Sequence, residues 1–211
     1  MGKVFVQTNE PDGNRVIVFE AGEDGALRRL DSVATGGKGD GVPHLTSQGS
    51  VVLTHEGTRL LVANAGSGDV SVLVVAEQAS LAQVVPSGPA PKSIAEHGGL
   101  VYVLNTGAPS LAGFRLTSDG LEPLEGSLRE LVADADPAQV GFTPDGSALL
   151  VTERGTNSLV AFPVGPDGLL GEPVQTPSSG PTPYGFAFGA SGALIVTEAF
   201  GAEKGKAAAS S

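Results

Sequence analysis

The sequence predicts an all-β chain folded as a β-propeller of four-stranded antiparallel blades, and three observations carry that prediction. Short β-branched strands that run into a small polar turn recur at a long, regular period; the remaining strands of a blade follow each of them in the same order; and no segment carries a helical period. The recurring strands are residues 4–9, 60–66, 101–107, 149–155 and 194–198. Aligned on Asn9, Asn64, Asn105, Glu153 and Glu198, they are 41 to 55 residues apart, the length of one propeller blade.

The elements of a period follow in order. Each anchor strand is followed by a second apolar strand, over 15–20, 69–75, 110–116 and 158–164, and three of these lead into turns at 23–25, 118–120 and 166–168 that contain Asp-Gly. Asp-Gly supplies the positive φ that a tight hairpin needs. The strands after them, 27–34, 81–86, 121–131 and 171–176, are more polar and suit a wet outer edge. A Pro/Gly-rich crossing then enters a segment of small apolar residues, over 49–53, 92–95, 138–142 and 184–188, which suits the crowded innermost position. A β-sandwich would space its strands every 8–12 residues or so, but gives no reason for a recurring quadruplet. The blades fall at about 3–35, 48–87, 90–132, 137–177 and 183–211, the last incomplete. That is about four and a half blades, opening without an innermost strand and stopping without an outer one. The expectation is a piece of a longer chain, or else copies that self-associate to complete a ring.

Composition narrows the chemistry. With no Cys among 211 residues, disulfides, thiolate zinc, iron–sulfur clusters and cysteine nucleophiles are excluded. A net charge of −11, from 23 acidic and 12 basic residues, argues against a nucleic-acid partner. The longest nearly apolar run, residues 70–76, is far too short to span a bilayer as a helix. The N-terminus enters a strand pattern at once, so no secretory leader is expected there and the cytoplasm is favoured.

Three stretches, LLVANAGSGDVSVLVV (60–75), PAQVGFTPDGSALLVTERGTNSLVAFPVGPDG (137–168) and PYGFAFGASGALIVTEAFG (183–201), resemble the lactonase-family β-propellers. That family includes bacterial 6-phosphogluconolactonase-like proteins and fungal carboxy-muconate cyclases, and its repeats look like YVTN propeller repeats. The resemblance implies a usually seven-bladed ring whose axial channel hydrolyses or cyclises a small lactone or carboxylate without a cofactor. In the family an inner strand often reads Pro-His-x-His-Ser-Val; here residues 47–53 read SQGSVVL, so Gln48 is not a His and Gly49 stands where the second His would be.

Loops entering the innermost strand and loops leaving the next strand meet on one face of a propeller, around the channel. They carry His44, Lys92, Gln139 and Tyr184 in the first set and Asn64, Asn105, Glu153, Arg154 and Glu198 in the second. Glu153 and Glu198 hold equivalent places in adjacent blades and are the expected acid–base pair, with Arg154 the cation for developing negative charge and His44 a general base. Lys92, Asn64, Asn105, Gln139 and Tyr184 are the expected substrate-binding set. His55 and His97 read as exposed turn residues on the opposite face. No metal is expected, although Asp134 and Asp136 alternate as cation ligands sometimes do, and 36–41 reads as a flexible Gly-rich loop rather than a phosphate loop. The absent His pair favours the rival class, a non-catalytic binding or scaffold module.

Overall fold

β-Branched and aromatic runs bounded by Gly, Asp and Asn turns make the strands. The computed structural model describes residues 2–42, 47–54 and 56–211. Five antiparallel sheets succeed one another along it. The first is β1 (Gly2–Gln7), β2 (Arg15–Ala21) and β3 (Leu27–Ala34). The second is β4 (Val51–Leu53), β5 (Arg59–Asn64), β6 (Asp69–Val75) and β7 (Ala79–Pro86). The third is β8 (Pro91–His97), β9 (Leu100–Asn105), β10 (Ser110–Thr117) and β11 (Gly120–Pro123), with β12 (Arg129–Glu130) also paired to β10. The fourth is β13 (Pro137–Phe142), β14 (Ala148–Glu153), β15 (Ser158–Pro163) and β16 (Val174–Pro177). The fifth is β17 (Pro183–Phe188), β18 (Leu194–Glu198) and β19 (Ala208–Ser210). These are the blades of a partial β-propeller.

Successive residues of a strand point to opposite faces, and in a middle blade both faces are apolar because each meets a neighbour. Leu60 and Val62 of β5 pack with Val16 and Val18 of the first blade, whereas Leu61 and Ala63 pack with Ile94, Val101 and Val103 of the third. Tyr102 and Leu104 turn the other way, onto Val140, Leu149 and Val151 of the fourth. The outermost sheets have one neighbour only, and their free faces show it: Val6 is 47% exposed and Ile195 44%, beside a buried Val196.

Three expectations are corrected. The outer strand expected over 121–131 is two short pieces: Gly126 turns the chain at φ 76, and Ser127 replaces strand pairing by accepting a hydrogen bond from the Gly113 N–H at 3.0 Å. His97 is not an exposed turn residue; it ends β8 half-buried, its ring 5.9 Å from that of Phe142. The Gly-rich segment 36–41 is not loose, since a Cβ at Gly39 would lie 2.2 Å from the Asn9 backbone and the Lys38 N–H is held by Ser67 Oγ at 2.8 Å. His55 lies outside the described residues. No helix among the described residues is long and apolar enough to cross a membrane.

Candidate functional site around the propeller axis

Antiparallel pairing brings the start of each innermost strand beside the end of the next strand. Pro91 pairs with Asn105, Pro137 with Glu153 and Pro183 with Glu198. Proline suits this first position because it has no N–H to give the ladder. The residue before it is left-handed in all three blades, at Ala90 (φ 52), Asp136 (φ 42) and Thr182 (φ 62). Its carbonyl accepts the N–H of the residue that follows the buried polar one: Thr106 at 3.0 Å, Arg154 at 3.2 Å and Ala199 at 2.9 Å. One position further on, Gly66, Gly107 and Gly155 press against the crossing chain, and a Cβ on Gly155 would sit 1.9 Å from Asp134 O. Because this clip recurs, its strain belongs to the repeat rather than to one site.

Just past each proline the register shifts by a bulge, which re-aims side chains. Lys92 and Tyr184 occupy that position. Lys92 Nζ lies 3.6 Å from Asp40 Oδ2, both well covered. Burial works to raise the Asp40 carboxyl, but hydrogen bonds from Asn9 and the Val42 N–H, together with the Lys92 charge, hold it below the usual carboxylate range. On the other side Arg154 donates to Asp136 Oδ1 at 2.6 Å and stacks its guanidinium 5.6 Å from the centre of the Tyr184 ring. Asp136 is therefore an ion-pair partner of Arg154.

Between these rims the innermost strands border a groove of about 430 Å³, lined by Gln48, Gly49, Gln139, Gly185, Phe186 and Thr197, among others. Gln139 clamps the fifth blade, its Nε2 donating to Phe186 O at 3.0 Å and its Oε1 accepting the Phe186 N–H at 2.8 Å. Ser93 ties its two neighbours in the same way, donating to Gln48 O at 2.5 Å and accepting the Val140 N–H at 3.1 Å. Gln48 reaches across to the fifth blade; a Cβ on Gly185 would lie 3.6 Å from its amide carbon.

The expected site residues divide. Gln139 lines the inner-strand groove, and Lys92, Arg154 and Tyr184 lie, half-buried, at the ends of strands beside it. Asn64, Asn105, Glu153 and Glu198 point into the junctions between blades, each at most 2% exposed. Asn64 is fully used: Nδ2 donates to Asp69 Oδ1 and Ser71 Oγ, both at 2.7 Å, and Oδ1 accepts from Asn14 Nδ2 at 3.0 Å and Thr35 Oγ1 at 2.9 Å. Asn105 Nδ2 donates to Ser87 O at 2.9 Å. Glu198 Oε1 accepts from Ser210 and, at 3.5 Å, from Ser178, while its Oε2 has no partner among the described residues. Glu153 Oε2 accepts from Thr156 Oγ1 at 2.7 Å. Burial pushes the Glu153 carboxyl up, the Thr156 bond draws it down, and the neighbouring charge that raises it is that of Asp134, not Glu198. The two glutamates thus have separate settings. His44 lies outside the described residues. Sequence reasoning missed Asp40 and Asn9 as rim groups; the visible signal was an Asp shortly before each of two inner strands.

Residues 119–199 match the family model described as lactonase, 7-bladed beta-propeller. A search of curated proteins gave no match. Among solved structures, a Lactobacillus plantarum protein superposes with a TM-score of 0.76 at 23% identity over 93% of this chain and 60% of its own. A candidate 6-phosphogluconolactonase from Bacteroides fragilis gives 0.74 at 15%, over 93% and 60%. The periplasmic gluconolactonase PpgL of Pseudomonas aeruginosa gives 0.71 at 18%, over 92% and 61%. The chain spans about three fifths of the length of these structures. Blade order, clip and inner-strand groove together make this chain a partial β-propeller, of which residues 119–199 match the lactonase model.

Proposed function

We propose that the axial groove binds a small anionic sugar lactone and opens its ring with water. The observation that carries the reading is the Arg154–Asp136–Tyr184 group, which adjoins, through Tyr184 next to Gly185, a groove whose lining includes Gln48, Gln139 and Thr197. In this reading Arg154 and the amide of Gln48 receive the negative charge that develops on the lactone carbonyl as water adds. Asp136 takes the proton of the attacking water, and that proton passes to the ring oxygen as the carbon–oxygen bond breaks. Lys92 holds a distal anionic group such as a phosphate.

The rival reading is a binding module without catalysis. It is favoured by the seating of Glu153 and Glu198 inside blade junctions, away from the groove. Acid release from 6-phosphogluconolactone and gluconolactone, alongside equilibrium binding of the corresponding acids, separates the two. Turnover that Arg154→Ala and Asp136→Asn both abolish supports the first reading. Binding without turnover selects the second, and neither binding nor turnover rejects both.

A further inference from the structure

Four blade junctions hold a buried polar side chain at the end of a second strand, and in three of them the crossing from the preceding blade closes over it. Thr35 does so for Asn64, Ser87 for Asn105 and Ser178 for Glu198. Glu153 differs. Its hydrogen bond comes from Thr156 in its own hairpin, and among the described residues no side chain of the preceding crossing hydrogen-bonds to it, although that crossing packs against Gly155. A cavity of about 300 Å³ opens there, between the third and fourth blades, at the lower end of the size range of small-molecule sites.

The cavity has an ordered lining. Its floor is the Glu153 carboxyl, 2% exposed. Its walls are apolar, with Val160 and Phe162 of β15 on one side and Val132 on the other. Glu130 and Glu172 flank the mouth. The one cation in the lining, Arg129, is held by the backbone and by the mouth: its Nη2 donates to the carbonyls of Leu170 and Gly171, both at 2.8 Å, and its Nη1 lies 3.8 Å from Glu172, whose charge it offsets. Among the described residues no cation pairs with Glu153 or Glu130. Both walls belong to complete middle blades, so the lining is built wholly within the described chain.

We infer that this inter-blade cavity is a binding site for a short aliphatic ammonium ion, whose head pairs with Glu153 and whose methylene chain lies against Val132, Val160 and Phe162. A buried carboxylate without a cation is costly, and an ammonium that enters the cavity removes that cost while burying its own alkyl surface. A second ammonium at the far end of the chain would meet Glu130, the mouth carboxylate that Arg129 does not pair, so short diamines are favoured over monoamines. Anions are repelled by the Glu153 and Glu130 carboxylates.

Calorimetric titration of the whole chain with n-butylammonium, 1,4-diaminobutane and butanoate tests the site. The expected result is one saturable site at millimolar concentrations for the two ammonium probes, tighter for the diamine, and none for butanoate. Glu153→Gln keeps the side-chain shape and is expected to weaken ammonium binding by about tenfold or more. Val132→Trp, at an exposed wall position, fills the cavity and is expected to abolish binding without unfolding the chain. Butanoate binding as tightly as butylammonium, no ammonium binding by the unmodified chain, or unchanged binding in either folded variant overturns the assignment. Should Glu153→Gln not fold, Val132→Trp decides alone.

Discussion

Replacing Asn64 by Ala tests whether the polar residue ending a second strand belongs to the fold or to a ligand. Its amide makes four hydrogen bonds, two given and two received, and the side chain is fully buried between the first two blades. At about 1 kcal/mol net per bond, truncation costs about 4 kcal/mol, and the Asn14 amide is left with an unmet buried donor that adds to the loss, while the Thr35 hydroxyl can turn to Asn14 O at 3.1 Å. That is a large share of the roughly 5–15 kcal/mol that holds a typical domain. In urea, with a slope of about 2 kcal/mol per molar, the midpoint falls by about 2 M. Asn64→Asp keeps the shape but turns two donors into acceptors facing Asp69 and Ser71, so it is expected to be at least as damaging and to worsen as pH rises. Urea titration followed by circular dichroism reads both. A midpoint within about 0.3 M of the unmodified chain, for either variant, would refute the structural role. Loss of lactone binding in such an undisturbed variant would return Asn64 to the ligand.

Three further outcomes follow from the same geometry. Gly66→Ala puts a Cβ 2.0 Å from Gly39 O and is expected to cost at least about 3 kcal/mol, while Gly13→Ala, with open space around it, changes stability by less than about 1 kcal/mol; thermal melts compare them. Tyr102 gives its hydroxyl to Gly168 O at 2.9 Å, and burial, with the nearby Asp167 charge adding to it, pushes its ionisation up to about 12. As the chain has two Tyr, ultraviolet titration of Tyr184→Phe should show a single late transition, and one near the ordinary value would contradict the burial. Burial raises the Glu153 carboxyl above its unfolded value, so its contribution to stability is full below that unfolded value and is lost as pH rises through the folded one. Glu153→Gln should therefore raise the urea midpoint at neutral pH and remove part of the decline that sets in as pH rises past the ordinary glutamate value; equal slopes in both proteins would count against it.

The blade repeat was legible because its causes are local. Alternation, Asp-Gly hairpins and small-residue inner strands each depend on a few adjacent residues, and the five anchor strands alone imply the period. The split outer strand of the third blade was not legible, since Gly126 and Ser127 declare a turn only once Gly113 is seen opposite them. Nor was the burial of His97, whose partner Phe142 is on the next blade.

The site divides along the same line. From its sequence the chain determined which residues cluster at the ends of its strands, and hence that Lys92, Arg154, Glu153 and their counterparts share one end of the blades. Whether a side chain there meets the axis or a neighbouring blade was decided by tertiary packing. The bulge after each proline takes Lys92 and Tyr184 out of the regular alternation of their strands, while residues two positions from a core valine in the same strand, as Glu153 is from Val151, point with it into the junction. Asn64 and Glu153 hold the same place in the repeat. Their partners in the fold make one a closed hydrogen-bond knot, with Asn14 and Thr35 reaching in from the preceding blade, and leave the other in the lining of a cavity.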